Sequence, residues 1–163
     1  MAMVEALIQE IENEGKTTRR LLERVPEAKY SWKPHGKSMS LGDLALHLAQ
    51  SPGYAAWGLV DTFEFTPDMA PKAPANTAEL LKTHDDSLAA ARAALTKIGD
   101  AGLGAMWKAT AGGQTMMEMP KGMLMRVVAC NHTVHHRGQL SVYLRLLDVP
   151  VPSIYGPSAD EGR

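Results

Sequence analysis

The residues best suited to chemistry lie in the stretch CNHTVHHRGQL, residues 130–140, which holds three of the chain's six histidines and its only cysteine. Imidazole nitrogens bind transition metals and exchange protons near neutral pH, and a thiol binds metals or undergoes redox chemistry. The stretch therefore has three chemical interpretations: a metal site, an acid–base catalyst and a redox switch. A fourth interpretation is that these polar residues lie beside a core and have no chemical role.

A helical wheel separates these side chains from one another. With His132 set to zero, His136 falls at about 40°, His135 at about 300° and Gln139 at about 340°. His132, His136 and Gln139 are thus predicted to face one buried stripe, with His135 at its shoulder. The wheel turns Cys130 away from the histidines and places Arg126 and Arg137 on the outward, polar face of the helix.

The spacing of His132 and His136 suits a metal ion, because side chains at i and i+4 stand about 5–6 Å apart at Cβ. A zinc-type site needs at least one more ligand. His47 is the candidate, since it lies in LGDLALHLAQ between the apolar Leu44 and Leu48. A shared ion would satisfy nitrogens that are costly to bury without partners. The alternative is that one of His132 and His136 is buried and the other is exposed, and that each forms its own hydrogen bonds.

The metal interpretation carries a pH dependence and a supporting shell. Ligand histidines must be neutral, so the metal should be lost as the pH falls through roughly 6. Gln139 is predicted either to hold a bound water or to orient one of the ligand histidines through a hydrogen bond, and His135 is a second candidate for such a supporting position.

The remaining histidines and the cysteine are predicted to lie outside the site. His35 follows a proline in a polar loop, and His84 stands among Lys82, Asp85 and Asp86, so both are expected to be exposed to solvent. A single cysteine excludes an internal disulfide, and Cys130 has no second thiol to support a redox role.

Four helices are predicted to position these residues. Apolar spacing indicates helix 1 over about 3–24, ending before Pro26. Ser40 and Asp43 form an approximate capping box for helix 2, which is predicted to run to about Thr62 with a kink at Pro52. Helix 3 covers about 78–99 after a cap at Asn76 or Thr77, and helix 4 covers about 121–147.

The long link between helices 3 and 4 contains Gly112 and Gly113 between the segments MWKAT and QTMMEM. This pattern indicates either a short β-hairpin or an irregular crossover. The predicted fold is therefore an all-α four-helix bundle with a long crossover connection. We expect one domain over residues 1–163, with a proline-rich extended tail at about 148–163.

Composition narrows the classes of partner. The net charge of −1 gives no electrostatic case for binding nucleic acid. Glu5, Glu10, Glu12 and Glu14 interrupt the apolar residues near the N-terminus, which is unlike a signal peptide, and no window is apolar enough to span a membrane. A cytoplasmic location is the expectation.

Two stretches carry a family resemblance: SWKPHGKSMSLGDLALHLAQSPGYAAWG, and NHTVHHRGQLSVYLRLLDVPVPSIYG near the end. Together they resemble the DinB/YfiT-like family of bacterial metal-binding four-helix bundles over essentially the whole chain. The resemblance implies that His47, His132 and His136 bind a divalent metal, zinc or nickel. It also implies a bundle that is often a homodimer.

Three functions are consistent with these features. The leading one is a metal-dependent enzyme of S-transferase or isomerase type that uses a small thiol or thiol conjugate, because relatives in the resembled family include thiol-dependent enzymes. A hydrolase is less favoured, since no glutamate stands beside the histidines as in H-E-x-x-H. The alternative is a non-catalytic metal-binding or stress-response protein in which the ion joins helices 2 and 4. The third is an interaction module with incidental histidines.

Overall fold

The structure is a computed structural model that describes residues 2–69 and 72–162. The loop predicted over 66–76 and the tail predicted over 148–163 each include residues outside the described ranges.

Two long helices, α1 (Met3–Leu22) and α3 (Thr77–Gly102), lie close to their predicted positions. Helix α1 forms because its apolar residues recur every three to four positions, which places them on one buried face. The side chain of Asn76 caps α3 by accepting a hydrogen bond from the backbone N–H of Glu79 at 2.8 Å. Of the two predicted caps, Asn76 and Thr77, the structure therefore has Asn76.

Helix α2 (Leu41–Gln50) is shorter than predicted. The chain continues as a 3-10 helix, Ser51–Leu59, and then as strand β1, Thr62–Phe65, so the prediction of one kinked helix to Thr62 is wrong in its second half. The change follows from Pro52, which has no N–H to bond the carbonyl of residue 48. Ser51 Oγ instead donates to the His47 carbonyl at 2.7 Å.

A three-stranded sheet stands beside the helices, which corrects the expectation of an all-α fold. Strands β2 (Met106–Ala111) and β3 (Gln114–Pro120) form the hairpin that Gly112 and Gly113 indicate, with both glycines at positive φ. Strand β1 pairs in parallel with β2, giving the order β1-β2-β3. The crossover path of this connection stays a prediction.

The last helix spans residues 121–146 and has three parts. Helix α4 (Lys121–Leu124) leads into a π-helical segment, Met125–Asn131, and then into α5 (His132–Leu146). A π turn closes its hydrogen bonds from i to i+5, so residues within it depart from the 100° spacing of an α-helix. The wheel drawn from His132 therefore misplaces the residues that precede it.

The buried face of α5 is also rotated from its predicted position. It consists of Thr133, Arg137, Leu140 and Leu144, which lie about 80–140° from His132 on a wheel. The prediction that Arg137 points outward is wrong. Its guanidinium is 1% exposed because Glu14 of α1 lies 2.5 Å away and the Tyr155 ring lies under it at 4.9 Å. Cys130, predicted only to point away from the histidines, is also buried.

Two apolar clusters divide the core along the bundle. One joins the start of α1, α3, the sheet and the first half of the last helix, and the other joins the end of α1, α2, α5 and Val151 of the tail. In the chain, His132 closely follows Ala129 and Cys130 of the first cluster, and His47 lies between Leu46 and Leu48 of the second. Among the described residues, none of the helices combines the length and apolarity needed to cross a bilayer.

Candidate metal centre

Three histidines meet where α2 packs against the last helix. One ring nitrogen each of His47, His132 and His136 can be chosen so that all three lie within 4.8 Å of one another. Nε2 of His47 is 2.7 Å from Nε2 of His132, and the ring of His136 is 4.5 Å from that of His47 between centroids. The sequence prediction that these three side chains converge is confirmed as geometry.

The elements that hold the histidines change helical type beside them. His47 lies three residues before the end of α2, and its neighbours Leu46 and Leu48 are buried in the core. His132 is the first residue of α5 after the π segment, and His136 follows one turn later. The imidazoles lie at the edge of the buried face of α5 and are only partly covered. An edge position leaves room for a molecule to approach them.

A contact with Gln139 indicates which nitrogen of His136 is free. Its Nδ1 lies 2.8 Å from Oε1 of Gln139, an atom that only accepts, so Nδ1 carries the proton and donates it. Nε2 of His136 therefore presents a lone pair. Fixing the tautomer of a ligand from behind in this way is a common feature of metal sites. The predicted supporting position of Gln139 thus has a contact that suits it.

His47 has a comparable partner in Tyr54, whose hydroxyl lies 3.2 Å from His47 Nδ1. When Nδ1 donates to this oxygen, Nε2 of His47 is free to bind an ion. In the absence of an ion, the 2.7 Å contact between the two Nε2 atoms requires a proton on one of them, because two lone pairs repel.

The donor set fits a divalent transition metal. Zinc–nitrogen bonds of about 2.0–2.1 Å in a tetrahedral arrangement place ligand nitrogens about 3.3 Å apart. The Nε2–Nε2 distance of 2.7 Å is shorter than this value, and the three ligand atoms lie within 4.8 Å of one another, so the side chains would have to adjust to bind a common ion. Three imidazoles suit zinc and nickel alike.

Burial keeps the histidines neutral. It lowers the pKa of His47 to about 4 and that of His132 to about 4, with a further contribution from the neighbouring His136. Burial is also the main cause that lowers the pKa of His136. Protons therefore compete with a metal at lower pH than the value of roughly 6 expected from free imidazole.

A pocket of about 700 Å³ opens beside His47 and His132. Its described lining is aromatic or aliphatic except for the two histidines and Gln50. The apolar members are Tyr54, Trp57, Phe63, Phe65, Met69, Met117, Val127 and Val128. The 3-10 helix, the sheet and the π segment each supply part of this wall. A volume of this size is typical of small-molecule sites.

The other sequence candidates are not members of the three-histidine group. His135 is exposed, with its ring 4.9 Å from that of His136, in agreement with a shoulder position. Cys130 is outside the group of possible ligands, and burial raises the pKa of its thiol to about 12. His35 and Arg126 are exposed, as predicted.

His84 is fully buried, so the prediction that it is exposed is wrong. Its Nε2–H donates to the carbonyl of Gly15 in α1 at 3.0 Å. Its charged neighbours Asp85 and Asp86 occupy the other, exposed face of α3. The charged residues next to His84 in the sequence thus marked the exposed face of α3, whereas His84 itself lies on the buried face.

Two polar residues near the site escaped the sequence interpretation, Gln50 and Tyr54. They follow His47 by three and seven positions, the spacing of one helix face, so that spacing was the available signal. Phe63 and Phe65 offered no comparable signal, because only the pairing of β1 with β2 brings them to the pocket.

Comparison with known proteins gives a match along the chain. The model of the DinB family matches residues 1–163. The protein YrdA of Bacillus subtilis (strain 168) is 43% identical over 44 residues. That stretch is 27% of this chain and 26% of YrdA, so it spans about a quarter of that relative.

Solved structures share the fold. A DinB-like protein from Bacillus cereus ATCC 10987 is 21% identical with a TM-score of 0.71, over 93% of this chain and 97% of that one. The DinB-like protein YjoA from Bacillus subtilis is 20% identical with a TM-score of 0.65, over 89% and 95%. At these identities the likeness supports the fold alone.

Proposed function

The chain belongs to the DinB family, and from that premise we propose that it is a divalent-metal-dependent enzyme with His47, His132 and His136 as the metal ligands. The observation that carries the proposal is the position of the three-histidine group beside a pocket of about 700 Å³. Three protein ligands leave at least one coordination position, and the pocket gives a small molecule access to it. Gln139 and Tyr54 would hold the His136 and His47 rings in the tautomers that ligation requires.

When bound, a zinc or nickel ion supplies Lewis-acid chemistry, polarising a carbonyl or stabilising a thiolate. The residues of the chain contribute neutral donors and a largely apolar surrounding. Because the three imidazoles are neutral, they leave the charge of a divalent ion uncompensated. An anionic head group of the substrate is therefore favoured at this position.

We favour a reaction of S-transferase or isomerase type in which the head group is a low-molecular-weight thiol or a thiol conjugate. A thiol becomes a nucleophile on losing its proton, and a cationic centre promotes that loss. Gln50 and the histidines are the polar members of the described lining. The described lining contains no carboxylate that could act as a general base. A reaction of a thiol therefore suits this pocket better than a hydrolysis that relies on such a base.

Metal analysis tests the first step. Protein purified without a histidine tag is expected to hold about one divalent ion per chain, measured by mass spectrometry of the metal content. Substitution of alanine for His47, His132 or His136 should each abolish it, and His35→Ala, a change at an exposed histidine, should not. Equal metal content in all four variants would contradict the proposal.

The alternative function is a structural site in which the ion joins α2 to the last helix. It is favoured by the origin of the ligands, since His47 comes from one helix and the other two from the second. Cobalt substitution separates the two functions. In the enzyme, a small thiol such as 2-mercaptoethanol should change the visible spectrum of the cobalt protein. A closed structural site should show no change.

A thermal-shift screen of low-molecular-weight thiols and their conjugates then tests the proposed substrate. Stabilisation of the metal-loaded protein, absent in His132→Ala, is the expected result. The homodimer proposed from the family resemblance is tested by sedimentation velocity, which separates a 17.7 kDa monomer from a species of twice that mass.

A further inference from the structure

The pocket beside the histidines combines a few polar residues with a largely apolar wall. Ring contacts form a row that runs from His132 through His47, Tyr54 and Trp57 to Phe63, so the histidines lie at one end of it. Apart from the histidines and Gln50, the described lining consists of aromatic, methionine and valine side chains. A molecule that fills this space thus meets polar groups at one end and an apolar wall along its length.

The aromatic rings of this wall are arranged in an ordered stack. Tyr54 stacks on Trp57 with ring centroids 4.3 Å apart, and Trp57 stacks on Phe63 at 4.7 Å. Phe65 stands edge-on to Trp57, at 5.3 Å and 90°. Offset-stacked and edge-to-face contacts are the arrangements that a further aromatic ring also prefers.

Two methionines complete the wall, Met69 from the 3-10 turn Pro67–Met69 and Met117 from β3. Thioethers make favourable contacts with the edges of aromatic rings and adapt to the shape of the ligand. The Trp57 carbonyl accepts a hydrogen bond from Nε1 of the buried Trp107 at 3.0 Å, which ties the stack to the sheet. The aromatic wall is therefore anchored in the fold.

We propose that this pocket binds the aromatic body of the substrate, an otherwise uncharged ring system that carries one metal-binding head group at the histidine end. The inference rests on the proposed function for the head group and on the lining of the pocket for the body. It names the substrate class as aryl compounds with a single polar head. Substrates with charged groups distributed along their length are disfavoured, because those groups would lose water against apolar side chains.

Hydroxamates provide a direct test, because they share a metal-binding head and differ only in the body. Acetohydroxamate, cyclohexanecarbohydroxamate and benzohydroxamate are titrated into the zinc-loaded protein by calorimetry. Benzohydroxamate should bind at least about tenfold more tightly than acetohydroxamate, because its ring buries additional apolar area. It should also exceed the cyclohexane compound by about two- to fivefold, from ring–ring contacts.

Variants localise the effect. Phe65→Leu keeps an apolar side chain and should remove most of the preference for the aromatic over the cyclohexane ring. Val127→Ser should weaken benzohydroxamate about two- to threefold. Val142→Ser is the matched control, since it changes another exposed valine of the last helix that is not part of the described lining (41% and 57% exposed). It should leave all three affinities unchanged.

The metal-free protein gives an independent measurement. The neutral aromatic dye N-phenyl-1-naphthylamine should gain fluorescence on binding to it, less so with Val127→Ser and equally with Val142→Ser. Absence of dye binding, or equal affinity for benzohydroxamate and acetohydroxamate, would overturn the aryl-body proposal even if zinc is bound. Affinity for the cyclohexane compound equal to or above that for benzohydroxamate would overturn its aromatic part. Failure to bind zinc would instead overturn the proposed function and leave the dye result to decide on the pocket.

Discussion

At the scale of single residues, the histidines lie at an edge. His132 and His136 border the buried face of α5 and not its centre, which belongs to Arg137, Leu140 and Leu144. A central position would enclose the rings in core, whereas the edge position brings His132 into the lining of the pocket. Partial burial of the rings is still sufficient to lower the histidine pKa values and keep the donors neutral.

Gln139→Leu should weaken metal binding about tenfold or more, because it removes the acceptor that holds the His136 tautomer. Gln139 is exposed, so the fold should tolerate the change. Competition with a chromophoric chelator gives the affinity. Gln139→Glu keeps an acceptor oxygen and should retain affinity close to that of the unchanged protein. Equal affinities for the Leu and Glu variants would show that the contact has no influence on the metal.

His84 should make the free energy of unfolding depend on pH. Burial lowers the pKa of His84 in the folded protein, so the unfolded chain takes up its proton first as the pH falls below about 6.5. The unfolded state then binds more protons, and stability should fall with decreasing pH until the folded-state pKa is reached. Urea unfolding of metal-free protein at pH 7.5 and 5.5 measures the difference.

His84→Gln should reduce this pH dependence, while the exposed His35→Gln should leave it unchanged. The three histidines of the site act in the same direction, so the comparison between variants and unchanged protein isolates His84. A pH dependence that is the same in all three proteins would contradict the prediction.

At the scale of elements, two departures from α-helical geometry border the site. Helix α2 gives way to a 3-10 helix three residues after His47, and the π segment ends immediately before His132. The first departure carries Tyr54 and Trp57 to the pocket, and the second carries Val127 and Val128. The same irregularities that a regular wheel misses therefore supply much of the pocket wall.

The start of α2 depends on Ser40, whose Oγ accepts the backbone N–H of Asp43 at 3.1 Å and lies 2.6 Å from the Asp43 carboxylate. Ser40→Ala should lower the free energy of unfolding by about 1 kcal/mol, the usual contribution of an N-cap. Urea denaturation measures it. Ser38→Ala, two residues earlier and outside the helix, should change stability by less than about 0.5 kcal/mol. Similar losses in both variants would contradict the capping role.

At the scale of the whole molecule, an ion pair between the buried Arg137 and the partly exposed Glu14 joins the first and last helices. The guanidinium of Arg137 is inaccessible to solvent. It lies 2.5 Å from the side-chain carboxylate of Glu14 in α1 and donates a hydrogen bond to the Glu14 backbone carbonyl at 3.2 Å. Tyr155 of the tail covers the guanidinium and donates its hydroxyl to Glu14 at 2.8 Å. Helix α1, α5 and the tail thus share one polar contact within the core.

Arg137→Met should lower the free energy of unfolding by about 3 kcal/mol, because Glu14 loses the partner that compensates its desolvation. Arg126→Met is the matched control on the same helix. Arg126 also pairs with a glutamate of α1, Glu10, but its side chain is half exposed. Its loss should cost less than about 1 kcal/mol. Chemical denaturation of both variants checks the difference, and equal losses would contradict it.

The sequence by itself determined the features that depend on local spacing. Apolar periodicity placed α1, a cap at Asn76 or Thr77 placed the start of α3, and paired glycines indicated the β2–β3 hairpin. The i, i+4 histidines together with His47 indicated the three-histidine group. These predictions succeed because each depends on residues that are neighbours in the chain or on one helix face.

Only the tertiary structure decided which neighbours each face meets. The burial of Arg137 depends on Glu14 in a helix more than a hundred residues earlier, and the burial of His84 depends on the carbonyl of Gly15. Strand β1 forms by pairing with β2, which is distant from it in the sequence, and that pairing brings Phe63 and Phe65 to the pocket. Long-range partners compensate the cost of burying polar groups and satisfy strand hydrogen bonds, and local composition does not encode them.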